Sequence, residues 1–456
     1  MTKSIIWFRN DLRLADNPAL DYAKSNNHEI LFIYILDPNC PIGSASKWFL
    51  HHALLSLDAD IKAKYNTQLL IESGDSFEML QNYVSKFKVN HILWNRVYEP
   101  DIIKRDSKIK KFFIDANLSV TSFNASLLFE PAKIKNNSGQ FFKVFTPFWK
   151  NCLTRISKIS TPSEIPEAIK IIPLNNQVGS LNDLKLLPKN PNWSIGWEKL
   201  YDVSENAAHE IALEFMQNSM SSYHMLRDFP GKNGTSVLSP YIHFGLISSR
   251  QIYFKAMMFD ESKGQFVFLS EIGWREFAYY LLYHFPELPE RNFKAKFDNF
   301  AWVNNESEIL KWQKGQTGFP IIDASMRQLW QTGWMHNRMR MVVASFLTKN
   351  LLVDWRIGAK WFNDCLVDAD LAANSASWQW VAGSGVDAAP YFRIFNPITQ
   401  SEKFDKNGDY IRKWLPELRD LSDKEIHMPS DRSNYKNAMI DLKVSRNRAL
   451  ELYRSL

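Results

Sequence analysis

Apolar residues in the first 130 positions follow two alternating patterns. Short apolar runs at Ser4–Phe8, Ile30–Leu36, Gln68–Glu72, His91–Trp94 and Val120–Asn124 have the length and character of β-strands. Between them lie stretches with helical spacing. In the one from Lys47 to Tyr65, Leu50, Leu54, Leu57 and Ile61 recur on a single face. Such alternation predicts a five-stranded parallel sheet with helices on both faces, a Rossmann-like α/β fold. The usual phosphate cradles are missing, because the chain holds neither G-x-G-x-x-G nor a P-loop. From about residue 157 to 200 periodicity is lost and prolines are frequent (Pro162, Pro166, Pro173, Pro188, Pro191), as in a long connection. From Glu205 to about Asp387 helical patterns dominate, and no internal repeat is present. The predicted organisation is an α/β domain at 1–130, a connection at 131–204 and an all-α domain at 205–456.

Composition narrows this only a little. The 456 residues are 45% apolar and 23% charged, enough for two or three packed domains. No apolar run approaches the ~18 residues of a membrane helix. The opening MTKSIIWFRNDLR meets charges at once and carries no signal-peptide pattern, which points to the cytoplasm. Cys40, Cys152 and Cys365 lie far apart and match no zinc or disulfide spacing, so no metal site is expected. A net charge of +6 is compatible with a polyanionic partner without demanding one. The 16 Trp, 16 Tyr and 31 Phe are mostly accounted for by a large core. Many of the tryptophans, however, sit beside polar or charged residues, a placement that suits stacking on flat rings.

Polar residues that a core would not choose cluster in the helical half. In WMHNRMRMVVASFL, Asn337, Arg340, Met341 and Ala344 share one helical face. That face wants a polar partner, either another helix or a ligand. In LVDADLAANSASWQW, Asp368 and Asp370 read as helix caps or as acceptors for a ligand ring N–H and for Arg340. A metal reading is weak, since no further ligand lies at suitable spacing. The turn GKNGTSVLS brings Thr235, Ser236 and Ser239 to a helix start, a simple turn or a phosphate contact. Tyr223 and Arg227 share a face just upstream. SEIGWREF puts Glu271, Trp274 and Arg275 on about one turn, an amphipathic surface or a base-stacking one.

Taken in order, WFRNDLRLADNPAL, RDFP, GTSVLS, WREF, GFPIIDASMRQL, TGWMHNRMRM, LLVDWRIG, DADLAAN, WQWVAGSGVDAAPYFRIFNP and FDKNGDYIRKWLPEL resemble the DNA photolyase/cryptochrome family over nearly the whole chain. The match is weakest at 157–200. HNRMRM looks most like the microbial class I cyclobutane pyrimidine dimer photolyases; the DASH branch usually has Gln where Met341 stands, and six-four enzymes carry a histidine-bearing pattern.

The resemblance implies light-dependent repair of cyclobutane pyrimidine dimers in DNA, with excited reduced FAD as electron donor and the protein acting as a monomer. FAD would lie in the helical domain. Tyr223, Thr235, Ser236, Val237, Leu238 and Ser239 match phosphate-side contacts, and Arg275, Arg340, Asp368, Ala369, Asp370 and Asn374 match flavin-side ones. Asn374 would face the redox nitrogen; plant cryptochromes have Asp there. Glu271, Asn337 and Met341 would contact the dimer, and Arg227, Glu271, Trp274, Asn337, Arg338, Trp380 and Gln400 the DNA. Trp378, Trp355 and Trp302 occupy the positions of the electron-transfer tryptophans. A second, antenna chromophore is expected, methenyltetrahydrofolate ahead of deazaflavin or a second flavin. It would lie near SASKWFLHHALLSL and WNRVYEP, with Glu99 resembling a folate contact. The rival implication is a cryptochrome-like photoreceptor without repair activity.

Overall fold

The structure is a computed structural model; it describes residues 2–174, 179–388, 392–430 and 435–456. The chain begins with β1 (Lys3–Phe8), β2 (Glu29–Leu36), β3 (Leu70–Ser73), β4 (His91–Asn95) and β5 (Ser119–Phe123). They form a parallel sheet in the order β3-β2-β1-β4-β5. Helices α1 (Pro18–Ser25), α2 (Ser44–Tyr65), α3 (Ser76–Phe87) and α4 (Pro100–Asp115) connect them. Period-two alternation splits each strand between the two sheet faces. Ile6, Phe8, Phe32 and Leu93 pack with α1 and α2 on one side, while Ile5, Trp7, Ile33 and Trp94 pack with α3 and α4 on the other. The predicted face of α2 is the buried one: Leu50, Leu54, Leu57 and Ile61 are all buried.

The aperiodic stretch is not structureless. Helix α5 (Phe145–Leu153) precedes it, and within it Lys170–Ile171 forms β6. This two-residue strand pairs with the start of β2, beside the edge that β3 leaves uncovered. Two residues carry no readable period, so only the open edge of β2 could have announced them.

The remainder is helical: α6 (Glu205–Asn218), α7 (Tyr223–Leu226), α8 (Ser239–His243), α9 (Ser249–Ala256), α10 (Lys263–His284), α11 (Glu306–Gln313), α12 (Pro320–Thr332), α13 (Asn337–Ser345), α14 (Trp355–Cys365), α15 (Leu371–Ala382), α16 (Pro397–Phe404), α17 (Asp409–Trp414) and α18 (Leu442–Arg454). No helix among the described residues is long and apolar enough to cross a membrane.

Two of these helices approach unusually closely. A Cβ on Gly358 of α14 would lie 2.2 Å from the Trp378 ring of α15, so only glycine permits the contact.

The turn after β1 clasps the helical part to the sheet. Leu12 N–H donates to Phe244 O at 3.1 Å. Arg13, fully buried, donates to Gly245 O at 2.9 Å. Asp16 accepts from Ser248 Oγ at 2.6 Å and pairs with Arg250. In return, buried Glu205 accepts from the Leu14 and Ala15 N–H groups, and buried Glu276 from those of Leu128 and Phe129.

Candidate functional site

Helices α10, α13 and α15 converge around a cavity of about 470 Å³. Helix α10 supplies Glu271, Trp274, Arg275 and Ala278, and α13 supplies Asn337, Arg340, Met341 and Ala344. Helix α15 supplies Ala373, Asn374, Ala376, Ser377, Trp378 and Trp380. Small residues on α15 keep the space open where larger side chains would fill it.

The floor is polar, and its two aspartates, Asp368 and Asp370, are buried. Asp370 caps α15, its Oδ1 accepting Ala373 N–H at 2.8 Å, while Oδ2 accepts the Tyr279 hydroxyl at 2.5 Å. Burial pushes the Asp370 carboxyl up, but His243, Arg275 and the capping N–H outweigh it and pull it down to about 2. Asp370 therefore stays anionic near neutral pH.

Asp368 accepts Arg340 Nη2 on Oδ2 at 2.8 Å, and Arg340 Nε is held by Met335 O at 2.8 Å. Among the described residues, buried Asp368 Oδ1 has no partner. An unpaired buried acceptor costs about 1–3 kcal/mol, so this atom calls for a donor from a ligand. Asn374 Nδ2 donates to Ala359 O at 2.9 Å, and its carbonyl, which accepts no hydrogen bond from the described residues, is available to a ligand N–H.

The rim is more exposed and aromatic. Trp274 is 38% exposed and stacks on Phe145 at 3.8 Å with an interplanar angle of 9°. Trp380 Nε1 donates to Asp387 O at 3.1 Å. Glu271 Oε1 pairs with Arg227 Nη1 at 2.5 Å, and Arg227 lies over the Tyr223 ring. Burial raises the Glu271 carboxyl above the usual range although Arg227 opposes the shift.

The cavity thus gathers Arg227, Glu271, Trp274, Arg275, Asn337, Arg340, Met341, Asp368, Ala369, Asp370, Asn374, Trp378 and Trp380 from distant parts of the chain. The other expected residues lie outside its wall. Tyr223 is buried against Phe215 and Phe268. Thr235, Ser236, Val237 and Leu238 form the turn into α8, and Ser239 Oγ accepts from Trp334 at 3.4 Å. Arg338 turns onto Asp228, at 2.8 Å, and onto the Phe404 ring; Gln400 sits on α16. Trp355 is fully buried one helical turn before Gly358, its indole N–H on Asn292 Oδ1 at 2.9 Å, and Trp302 is partly buried against Phe300.

The expected antenna residues also separate. Glu99 faces Asp370 and His243 at the seam between sheet and helices, where burial and the Asp370 charge raise it to about 7. Ser44 and Ala45 instead border a crevice with Trp193, Trp197 and Trp330.

Several residues that shape the site carried no readable signal. Phe277, Leu281, Phe362 and Val386 line the cavity as plain apolar residues. Phe145 enters the rim from α5, more than a hundred positions before α10. Only the tertiary structure brings these residues to the site.

The chain matches two family models: "DNA photolyase" over residues 4–168 and "FAD binding domain of DNA photolyase" over residues 268–455. It is 43% identical to the deoxyribodipyrimidine photo-lyase of Agrobacterium fabrum, over 93% of this chain and 89% of the relative. It is 34% identical to cryptochrome-2 of Arabidopsis thaliana, over 94% of this chain and 73% of that protein. A solved bacterial class III photolyase from Agrobacterium tumefaciens superposes with a TM-score of 0.96 at 40% identity, covering 100% of this chain and 98% of its own. The residues present fit FAD: Asp368 Oδ1 and the Asn374 carbonyl are acceptors that could take N–H groups of a ligand, and Arg340 is a cation held beside Asp368.

Proposed function

The chain belongs to the DNA photolyase family, and from that premise we propose that it splits cyclobutane pyrimidine dimers in DNA by light-driven electron transfer from excited reduced FAD. The observation that carries this reading is the two-zone cavity. A polar floor, with Asp368 and Asp370 buried and Arg340 and Asn374 part-buried, shares the cavity with a rim of Glu271, Trp274, Asn337, Met341 and Trp380. A cofactor in the floor and a flipped dimer at the rim would meet inside one space. A dimer stacks poorly in the duplex, so extruding it costs less than extruding a normal base.

When bound, FAD would supply the electron and take it back; the protein would position both partners and shape their electrostatics. Asp368 would accept a ring N–H and Asn374 would offer a neutral carbonyl at the redox nitrogen. A carboxylate there would repel an anionic reduced ring. Glu271, with its carboxyl raised, would hydrogen-bond the dimer and is oriented by Arg227. Trp274 and Trp380 would wall the dimer in. Trp378 in the cavity wall would begin the electron path toward Trp355 and Trp302 that reduces oxidised FAD. A second chromophore, methenyltetrahydrofolate ahead of the flavins, would harvest light. The Trp-lined crevice beside Ser44 and Ala45 offers planar rings for it.

The test is repair of a dimer-containing oligonucleotide with and without blue light. Light-dependent restoration of intact pyrimidines is expected. Light-driven flavin reduction with no repair would favour the photoreceptor reading instead.

A further inference from the structure

Asp387 follows α15 in a left-handed conformation with φ 54. A non-glycine residue there costs about 1 kcal/mol or more and persists only where its surroundings hold it. Two contacts do so. Its main-chain carbonyl accepts Trp380 Nε1 at 3.1 Å, and its carboxylate Oδ2 accepts Phe145 N–H at 3.2 Å. Phe145 is the first residue of α5, where backbone N–H groups lack helical partners, and the N-cap Val144 provides no side-chain cap. Asp387 therefore caps α5 from 242 positions away, with a negative charge at the favourable end of the helix. Phe145 then lies flat on Trp274, at 3.8 Å and 9°.

We infer that Asp387 and Phe145 are positioning residues that set the gap between the two aromatic walls of the dimer pocket. One wall, Trp380, hangs on the Asp387 carbonyl. The other, Trp274, is backed by Phe145, which hangs on the Asp387 carboxylate. A single turn thus holds both walls in register, and the register selects a rigid fused dimer over a single flipped base. This inference rests on the reading that the rim accepts the dimer.

Asp387→Gly isolates the effect. Glycine keeps the left-handed backbone and the carbonyl to Trp380 but removes the acceptor for Phe145. Asp387→Asn keeps an acceptor and tolerates the same φ. Both variants, as FAD-loaded protein, would be titrated with matched dimer-containing and undamaged oligonucleotides, and their flavin photoreduction would be followed.

Asp387→Gly should lose roughly fivefold to tenfold of the preference for dimer DNA, a fraction of one base–aromatic stack. Asp387→Asn should keep the parent preference, and both should photoreduce at the parent rate. Phe145→Leu should repeat the loss through the other member of the pair, and serves if the glycine variant does not fold. Parent-like preference in Asp387→Gly and Phe145→Leu overturns the inference. Equal weakening for both DNAs, or loss of bound FAD, overturns it as well and makes the turn merely structural. A parent protein without any preference would instead overturn the dimer reading beneath it.

Discussion

Asp368→Asn probes the cofactor floor with the smallest change in shape. The Asp368 side chain is 2% exposed, so water cannot repair a mismatch there. Arg340 Nη2 donates to Oδ2 at 2.8 Å, and on the proposed reading a ring N–H of bound FAD would donate to Oδ1, which has no partner among the described residues. Asparagine offers one acceptor and one donor. If its oxygen faces Arg340, its NH₂ meets the ring N–H; if it flips, the NH₂ meets the guanidinium. Either way one charge-assisted bond is lost, about 1.5–3 kcal/mol, which is roughly tenfold to a hundredfold in FAD affinity. Arg340 is 24% exposed and keeps its bond to Met335 O. The flavin-free protein should therefore lose less than the ~3–5 kcal/mol typical of breaking a fully buried pair. The assay titrates flavin-free protein with FAD by fluorescence, alongside thermal unfolding without FAD. Weaker FAD binding with a modest stability loss is expected. Parent-like FAD affinity would refute the placement of Oδ1 at the ring N–H.

Trp378→Phe should abolish photoreduction of oxidised FAD while protein reduced beforehand with dithionite repairs at near-parent rates; parent-like photoreduction would remove Trp378 from the electron path. Asn374→Asp should speed air oxidation of the reduced flavin, because a carboxylate at the redox nitrogen opposes its anion; equal oxidation rates would move Asn374 away from that atom. Arg227→Ala should push the already raised Glu271 carboxyl higher, since Arg227 is what opposes burial there. A carboxyl raised in the folded state stabilises below its unfolded value and loses that contribution as pH rises through the folded one. The variant's Glu271 should thus stay protonated to higher pH, moving the Glu271 midpoint of dimer binding upward. A downward or absent shift in binding titrations across pH would refute the pairing.

The α/β layer was readable because it obeys local rules. The five expected strands lie within two residues of β1 to β5, and the Leu50–Ile61 face of α2 is buried as its spacing required. Strand β6 escaped because its pairing is decided by a neighbour's open edge rather than by its own period. In the site, an Asp368 acceptor for Arg340 was one of the readings the sequence offered beside helix capping, and the structure pairs the two. The hydroxyls of Thr235 to Ser239 also gave a signal, yet their turn lies outside the cavity wall. Phe145 and Asp387 stood out by no individual signal, although Asp387 lies within the string WQWVAGSGVDAAPYFRIFNP. Their roles exist only through a contact spanning 242 positions.

The clasp after β1 bears on whether the cofactor half could be used alone as a portable module. Glu205 and Glu276 are buried carboxylates whose acceptor atoms are satisfied by backbone N–H groups at Leu14, Ala15, Leu128 and Phe129. Cut away from the sheet, the helical half would keep both acids and lose every one of those donors. Burial raises Glu276 to about 7 against the Arg275 charge and the two N–H groups, and the cut would remove those N–H groups together with the segment that covers the carboxyl. Arg250 would lose Asp16 in the same stroke. A recombination scheme that grafts the flavin-binding helices onto another sheet must therefore carry Leu12–Asp16 and Leu128–Phe129 with them. The seam, rather than the change from strands to helices, marks what can be exchanged.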